Sequence, residues 1–456
     1  MFKIQHQVYE KTPLIMKRMI NYIPYSWIAG RVYRETLLLS QQLEYANRSE
    51  IQAFQEKKLG ELLEYAVQTV PAYQQYRKIV EHYSPFEALK AFPLLSRQEL
   101  QENHEKYISN SAHKIHHHEA STGGTTGKQL QFIQDDAIYA REMAFMHSLW
   151  KRVGYTTKSK KATFRGVKFF HIDDKTFWQE NPIHNELQFS PMHMNESTLE
   201  LYIKKMIEYQ PRFIHGYPSA IDVLSEYIIR NNLTSKIPKI TAALLGSEGC
   251  STSQRERISN ALNTKVYTWY GQSERVVLGG ECEKSSFYHH FPGYGILELI
   301  TDEGTFCGIG EKGEIVGTGF LNRCMPLIRY RTEDYAIRRE SKCKCGRNWD
   351  IFSDVEGRWN IEGIIGYHGS RISAAALNMH GDLFKNVIRC QYYQKEKGKL
   401  EIRVIINSRF TNKDVDKIIS EHNKKFHGEI DVILKIVNDI PLTKNGKHRW
   451  VICESR

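Results

Sequence analysis

Over the first 95 positions, apolar residues recur every three or four places among charges, as in LLLSQQLEYANRSEIQAFQEKKLGELLEYAV. This spacing predicts a helical N-terminal portion, residues 1–95, whose helices cover the main core. From about 160 to 300 the pattern turns to short β-branched and aromatic runs alternating with helical ones: PRFIHGYPSAIDVLSEYIIRNN, ITAALLGSEG, STSQRERISNALN and KVYTWYG. Such alternation predicts an α/β sheet with helical layers. GILELI, GEIVGTGF and MPLIRYRTEDYAIRR, set apart by Gly-containing turns, predict an antiparallel or barrel-like β section over 295–335. Past Arg358, KLEIRVIINS and EIDVILKIV flank the helical DVDKIISEHNKKF, in ~100 residues that suit a small α+β domain. The expected division is a large multi-layered α/β domain, 1–358, and a small C-terminal domain, 359–456, with a hinge near 358–362.

A chain of 456 residues exceeds what one core usually supports, which agrees with two domains. With 41% hydrophobic and 25% charged residues it has ample material to bury, and disorder is excluded. The net charge of +11 is scattered rather than blocked, and no nucleic-acid-binding signature accompanies it, so a polyanionic small substrate accounts for it better. No window reaches the roughly 18 consecutive apolar residues of a membrane helix, and the start lacks a secretory pattern. Eight Cys with one tight CKC pair suit thiols in a reducing compartment, so a cytoplasmic protein is expected.

The densest chemistry lies at Ser121-Thr122-Gly123-Gly124-Thr125-Thr126-Gly127-Lys128. Glycines let the backbone approach phosphate oxygens, hydroxyls add hydrogen bonds, and lysine adds a mobile positive charge. A P-loop is excluded on two counts. Three residues, not four, separate Gly123 from Gly127, and Gln129 stands where Ser or Thr is required.

Five further motifs follow in order: Gly246-Ser247-Glu248, Tyr270-Gly271-Gln272-Ser273-Glu274, Tyr330-Arg331-Thr332-Glu333-Asp334, Glu356-Gly357-Arg358 and Thr443-Lys444-Asn445-Gly446-Lys447. Together with the Gly-rich loop they resemble the adenylate-forming enzymes, in particular the phenylacetate-CoA ligase and CapK-like group. The resemblance implies a large adenylate-forming domain with a small mobile C-terminal domain, acting on ATP and Mg²⁺. It implies that residues 121–128 hold phosphates, that Ser247, Glu248 and Tyr270 to Ser273 line the adenine pocket with Tyr270 against the base, and that Glu274 binds Mg²⁺. Asp334 and Arg358 would bind the ribose, and Lys447, with Lys128, would be catalytic. The sequence departs from the group at Glu333, where Gly is usual, and at Arg358-Trp359-Asn360-Ile361-Glu362, where an Asp-rich stretch usually follows.

Taken singly, Glu274 and Asp334 read equally well as ion-pair partners of Arg275 and Arg331, and Tyr270 as a core aromatic. Cys282, Cys343, Cys345 and one of His289 or His290 form a closed donor set suited to structural zinc, and zinc sites occur in the group it resembles. The alternative is a set of unliganded thiols. Consecutive histidines 116–118 alternate faces on a strand and read as structural. Cys250, Cys307, Cys324, Cys390 and Cys453 lack an activating pattern.

Three readings stay open: acyl-adenylate formation with transfer to an amine or hydroxyl in surface-polysaccharide biosynthesis, a phenylacetate-type ligase using CoA, and a non-catalytic nucleotide-binding scaffold. The partners expected are a carboxylic acid, whose pocket draws on Tyr217, Pro218 and residues 140–250 and is compatible with an aryl acid, and an acyl acceptor. A symmetric homodimer is the default assembly.

Overall fold

The computed structural model describes residues 12, 14–20, 22–121, 130–167, 169, 176–357, 363–377, 379, 383–441 and 449–455. Helices dominate up to Lys114. The two longest are α1 (Gly30–Glu44) and α2 (Arg48–Thr69). Asn47 caps α2 by accepting from the Glu50 N–H at 2.9 Å, while the Glu50 carboxylate accepts from the Asn47 N–H at 2.8 Å. One face of α2 buries Ile51, Leu59, Leu63, Ala66 and Val67. The Trp349 indole donates to Leu43 O at 2.8 Å, which ties α1 to the central sheet. Short helices continue past 95, at Arg97–Glu102, His104–Tyr107 and Ala112–Lys114. Not all of this layer covers core: Met16, Met19, Tyr22 and Trp27 are exposed.

A hairpin of β1 (His117–Ser121) and β2 (Gln131–Asp135) comes next, then helix α3 (Ile138–Lys151). The central sheet has twelve strands: β3 (Lys161–Phe164), β4 (Trp178–Asn181), β5 (Glu186–Phe189), β6 (Phe213–Gly216), β7 (Ala242–Gly246), β8 (Val266–Gly271), β9 (Leu278–Gly280), β10 (Tyr288–His290), β11 (Gly295–Ile300), β12 (Lys312–Gly319), β13 (Tyr330–Arg339) and β14 (Ile351–Glu356). Their spatial order is β11-β12-β13-β14-β10-β9-β8-β7-β6-β3-β5-β4. Strands β5, β3, β6, β7 and β8 run parallel. Helices α4 (Glu196–Tyr209), α5 (Pro218–Arg230) and α6 (Thr252–Leu262) make the crossovers. In β3, β5, β6 and β7 every residue is buried, as expected of strands covered on both faces.

The antiparallel section is not a separate barrel. It joins the parallel strands through the antiparallel pairing of β8 with β9. Two glycines permit that junction: a Cβ on Gly279 would lie 2.5 Å from the Phe352 ring, and one on Gly280 2.4 Å from Leu149.

After the β15 (Ile364–Ile365) and β16 (Arg371–Ile372) ladder, a four-stranded sheet has the order β19-β18-β17-β20. It comprises β17 (Val387–Gln394), β18 (Lys399–Ile406), β19 (Asp431–Ile436) and β20 (Val451–Cys453), with α7 (Asn412–Phe426) against it. The sequence pattern finds β18, α7 and β19 but not β17 or β20. The run VIRCQYYQ carries Arg, Cys and two Gln, of which Cys390, Gln391 and Gln394 are buried, so alternation is blurred. No described helix is long and apolar enough to cross a membrane.

Candidate active site and metal centre

Strands β3, β6, β7 and β8 are parallel neighbours whose C-terminal ends lie on the same side of the sheet, where the crevice of an open α/β sheet usually takes its ligand. Ser121 and Leu130, both buried, anchor the two ends of the Gly-rich loop. Thr122 to Lys128 lie outside the described residues, as do Arg358 and Lys447. Gln134 on β2 donates to Ser273 O at 2.9 Å and so ties the loop-bearing hairpin to the turn after β8.

At the end of β7, Gly246 has no room for a side chain, since a Cβ would lie 2.4 Å from the Trp269 indole. Ser247 follows with φ of 70°, in the left-handed region that a serine seldom adopts. The Glu248 carboxylate accepts from the Ser219 N–H at 3.2 Å, and its other oxygen has no partner. Burial pushes this carboxyl up, against the hydroxyls of Ser373 and Ser219 and the charge of Arg165.

The two carboxylates singled out from the sequence are held by tyrosines. Tyr270 donates to Asp334 Oδ2 at 2.9 Å, and Tyr330 donates to Glu274 Oε1 at 2.7 Å. The alternative ion pairs do not form: Arg275 pairs with Glu142 and Arg331 with Glu314. Tyr270 is 3% exposed, with its ring edge-on to Phe352, so its face is closed in this conformation. Burial, and then Asp334, push its phenol well above the ordinary value. Gln272 bridges the N–H and C=O of Val277 with its amide and Gly271 closes β8, so both shape the turn.

Arg165 was not found from the sequence. Its Nη2 donates to Ser247 Oγ at 2.7 Å, and its Cζ lies 5.4 Å from the centre of the Tyr217 ring. The available signal was a charge directly after the buried strand KATF, at the end where ligands bind.

A second cluster lies beside β9 and β10, in the middle of the strand order. Ligand atoms of Cys282, His289, Cys343 and Cys345 all fall within 4.8 Å of one another. The Cys282 and Cys343 sulfurs are 3.7 Å apart, and Cys345 Sγ is 3.4 Å from His289 Nε2. Tetrahedral zinc with Zn–S bonds of ~2.3 Å would set its sulfurs roughly 3.8 Å apart, so the donor set fits. His289 Nδ1 faces Phe287 O at 3.1 Å, which places the proton there and leaves Nε2 for a ligand. His290 is excluded as the fourth donor. It points to the opposite face of β10, with its nitrogens at Leu278 O (3.2 Å) and Gly295 O (2.9 Å). Burial pushes the Cys282 thiol up to about 12; at Cys345, Arg347 outweighs burial and holds the thiol below its ordinary value. Elsewhere burial raises Cys250 and Cys324 to about 11, so neither is an activated nucleophile. His118 pairs with Asp136 at 2.9 Å.

Residues 364–454 match the CapK C-terminal domain family. Protein CapK of Staphylococcus aureus is 26% identical over 382 residues, covering 80% of each chain. The phenylacetate-coenzyme A ligase of Thermus thermophilus is 22% identical over 349 residues, covering 71% of this chain and 73% of the ligase. Among solved structures, 2-hydroxyisobutyryl-CoA ligase in complex with 2-HIB-AMP and CoA in the thioesterification state aligns with a TM-score of 0.57. That alignment has 17% identity and covers 91% of this chain and 92% of the ligase. Over most of its length the chain is similar to the CapK- and phenylacetate-CoA-ligase-like adenylate-forming ligases. Within this family frame the crevice residues acquire an order along the sheet: Glu274 and Tyr270 at β8, Ser247 and Glu248 at β7, Tyr217 at β6 and Arg165 at β3.

Proposed function

We propose that the protein activates a carboxylic acid with ATP. A carboxylate oxygen attacks the α-phosphorus, the bond to the β,γ-phosphate oxygen breaks, and pyrophosphate leaves an acyl-adenylate. In the second step an acceptor nucleophile attacks the acyl carbonyl, gives up its proton and expels AMP. The observation that carries this reading is the pair of tyrosine-held carboxylates, Tyr330–Glu274 and Tyr270–Asp334, at the mouth of the crevice. Each hydroxyl takes up one lone pair of its carboxylate and fixes its direction before any ligand arrives. Glu274 would hold Mg²⁺, whose charge would offset that of the phosphates. Asp334 suits two ribose hydroxyls, with Arg358 beside it, while Ser121 to Lys128 and Lys447 would supply donors and positive charge to the phosphates.

The same reading divides the chain near 358, with the small domain carrying Lys447 and rotating between the two steps. The likeness to Protein CapK favours transfer to an amine or hydroxyl in surface-polysaccharide synthesis. The coverage of the phenylacetate-coenzyme A ligases supports CoA thiol as the second reading. A cytoplasmic location agrees with the need for ATP and with eight cysteines outside any disulfide. For the cluster at β10 we propose structural zinc: four protein ligands leave no open position for activating water.

ATP/pyrophosphate exchange over a panel of carboxylic acids tests adenylation. Exchange with at least one acid, lowered ~100-fold or more in Lys447→Ala, is the expected result. Absence of exchange with every acid would return the chain to the scaffold reading. CoA, amines and sugars offered to the preformed adenylate then identify the acceptor.

A further inference from the structure

The adenylation chemistry leaves the charge of Arg165 unexplained. Among the described residues its half-buried guanidinium is held by uncharged groups. Nη2 donates to the Ser247 hydroxyl at 2.7 Å, Nη1 lies 3.5 Å from His215 Nε2, and the plane approaches the Tyr217 ring. His215 Nδ1 sits 3.0 Å from Leu244 O, so its proton is placed there and Nε2 faces Arg165 as an acceptor. Burial, reinforced by Arg165 and Lys161, keeps that imidazole neutral. No carboxylate forms an ion pair with Arg165 among the described residues. Glu248 feels its field but is engaged by Ser219 and Ser373.

A partly desolvated guanidinium without a counter-charge is costly, and its planar fork matches a carboxylate. The contacts described engage two of its five N–H groups. Position indicates whose carboxylate it would meet. Arg165 leaves β3, three places from β8 in the sheet or roughly 14 Å at a spacing of ~4.8 Å, and its guanidinium reaches back to lie between Tyr217 at β6 and Ser247 at β7. The adenylation reading puts the nucleotide and reacting carboxylate beside Ser247 to Glu274. The region toward β6 and β3 is then left for the far end of the acid. Gly166 packs closely there, donating its N–H to the Tyr217 hydroxyl at 3.3 Å, and so fixes that ring beside Arg165.

We propose that Arg165 is a specificity-determining residue of the acid subsite and that the acid carries a second oxyanion, as a dicarboxylate does, rather than an apolar aryl or alkyl tail. The proposal rests on the adenylation reading and narrows its substrate class.

The test is exchange by the full-length protein with acids matched in length: glutarate against valerate, succinate against butyrate, phthalate against benzoate. The dicarboxylate is expected to be favoured about 30-fold in kcat/KM. Arg165→Gln should raise KM for the dicarboxylate about 30-fold and KM for the matched monocarboxylate far less, and Arg165→Lys should restore part of the loss. Equal or better use of monocarboxylates overturns the proposal, as does a rise in KM in Arg165→Gln that is the same for the dicarboxylate and the monocarboxylate. Calorimetric binding of glutarate, lost in a folded Arg165→Gln, is read without turnover. With no exchange by any acid, the adenylation reading falls. Glutarate binding then still decides for or against Arg165: binding abolished in the variant supports it, and no binding or unchanged binding overturns it.

Discussion

At the residue scale the site depends on hydroxyls that serve carboxylates. Removing the Tyr330 hydroxyl leaves Glu274, a buried acid, without its 2.7 Å donor. A buried acceptor that loses such a partner costs about 1–3 kcal/mol. Tyr330→Phe is therefore expected to fold but to need about 10-fold more Mg²⁺ for half-maximal exchange, measured by Mg²⁺ titration at saturating ATP. An unchanged Mg²⁺ requirement would remove Glu274 from the metal site. Gly246 offers a steric test, because a Cβ there meets the Trp269 indole at 2.4 Å. Gly246→Ala should lose about 1–3 kcal/mol, read from the urea midpoint. The acids themselves were legible, since Glu274 and Asp334 sit in ordered motifs. Their partners were not. Neighbours in sequence made Arg275 and Arg331 the natural choices, yet Glu274 lies in the turn after β8, Arg331 and Asp334 stand three places apart on opposite faces of β13, and the donors arrive from 56 and 64 positions away.

At the element scale the same alternation was an aid. It put His289 and His290 on opposite faces of β10, so only one could join Cys282, Cys343 and Cys345, although which one depended on the pairing of β10 with β9 and β14. The parallel core strands were legible because four of them are buried throughout. β17 was not, because buried polar residues satisfied by hydrogen bonds look like surface; Gln394, for example, bonds Ile365 N–H and C=O at 2.6 and 2.8 Å. β20 was not because it is only three residues long. The cluster joins strand β10 to the loop before β14, so metal loss should loosen that junction while leaving the crevice intact. Purified protein is expected to hold one zinc per chain. Cys343→Ser should hold none, melt roughly 5 °C lower and keep its exchange activity at low temperature. Zinc analysis and a melting curve check this. A metal-free wild-type protein with unchanged melting after chelation would favour the unliganded-thiol reading.

Across the whole molecule, buried neutral histidines couple the fold to pH. His193 near the junction with the C-terminal sheet and His422 within α7 are both held down to about 4, chiefly by burial. His147 and His215 in the large sheet layers are likewise pushed well below the ordinary value, again through burial first. For each, the unfolded chain takes up a proton near 6.5 while the folded chain does not. For His193 and His422 the associated stability is complete above about pH 6.5 and is lost as pH falls toward 4, amounting to about 2 kcal/mol each by pH 5. Glu186 acts in a lower window. Burial alone would raise it, but Lys161, 3.1 Å away, and His184 outweigh burial and hold it at about 2, so its contribution disappears between about pH 4.5 and 2. The urea midpoint should therefore fall markedly between pH 7 and 5, before carboxylates matter. His422 isolates one term: its Nδ1 bonds Ile418 O at 2.7 Å and its Nε2 meets the Tyr392 hydroxyl at 2.8 Å, both contacts of the neutral ring. His422→Gln should start about 1–2 kcal/mol less stable at pH 7, from imperfect replacement of those bonds, and then lose about 2 kcal/mol less than the wild type on going to pH 5. Urea titrations at both pH values, followed by fluorescence and circular dichroism, measure the difference. Parallel losses in wild type and variant would mean that His422 already carries its proton in the folded protein.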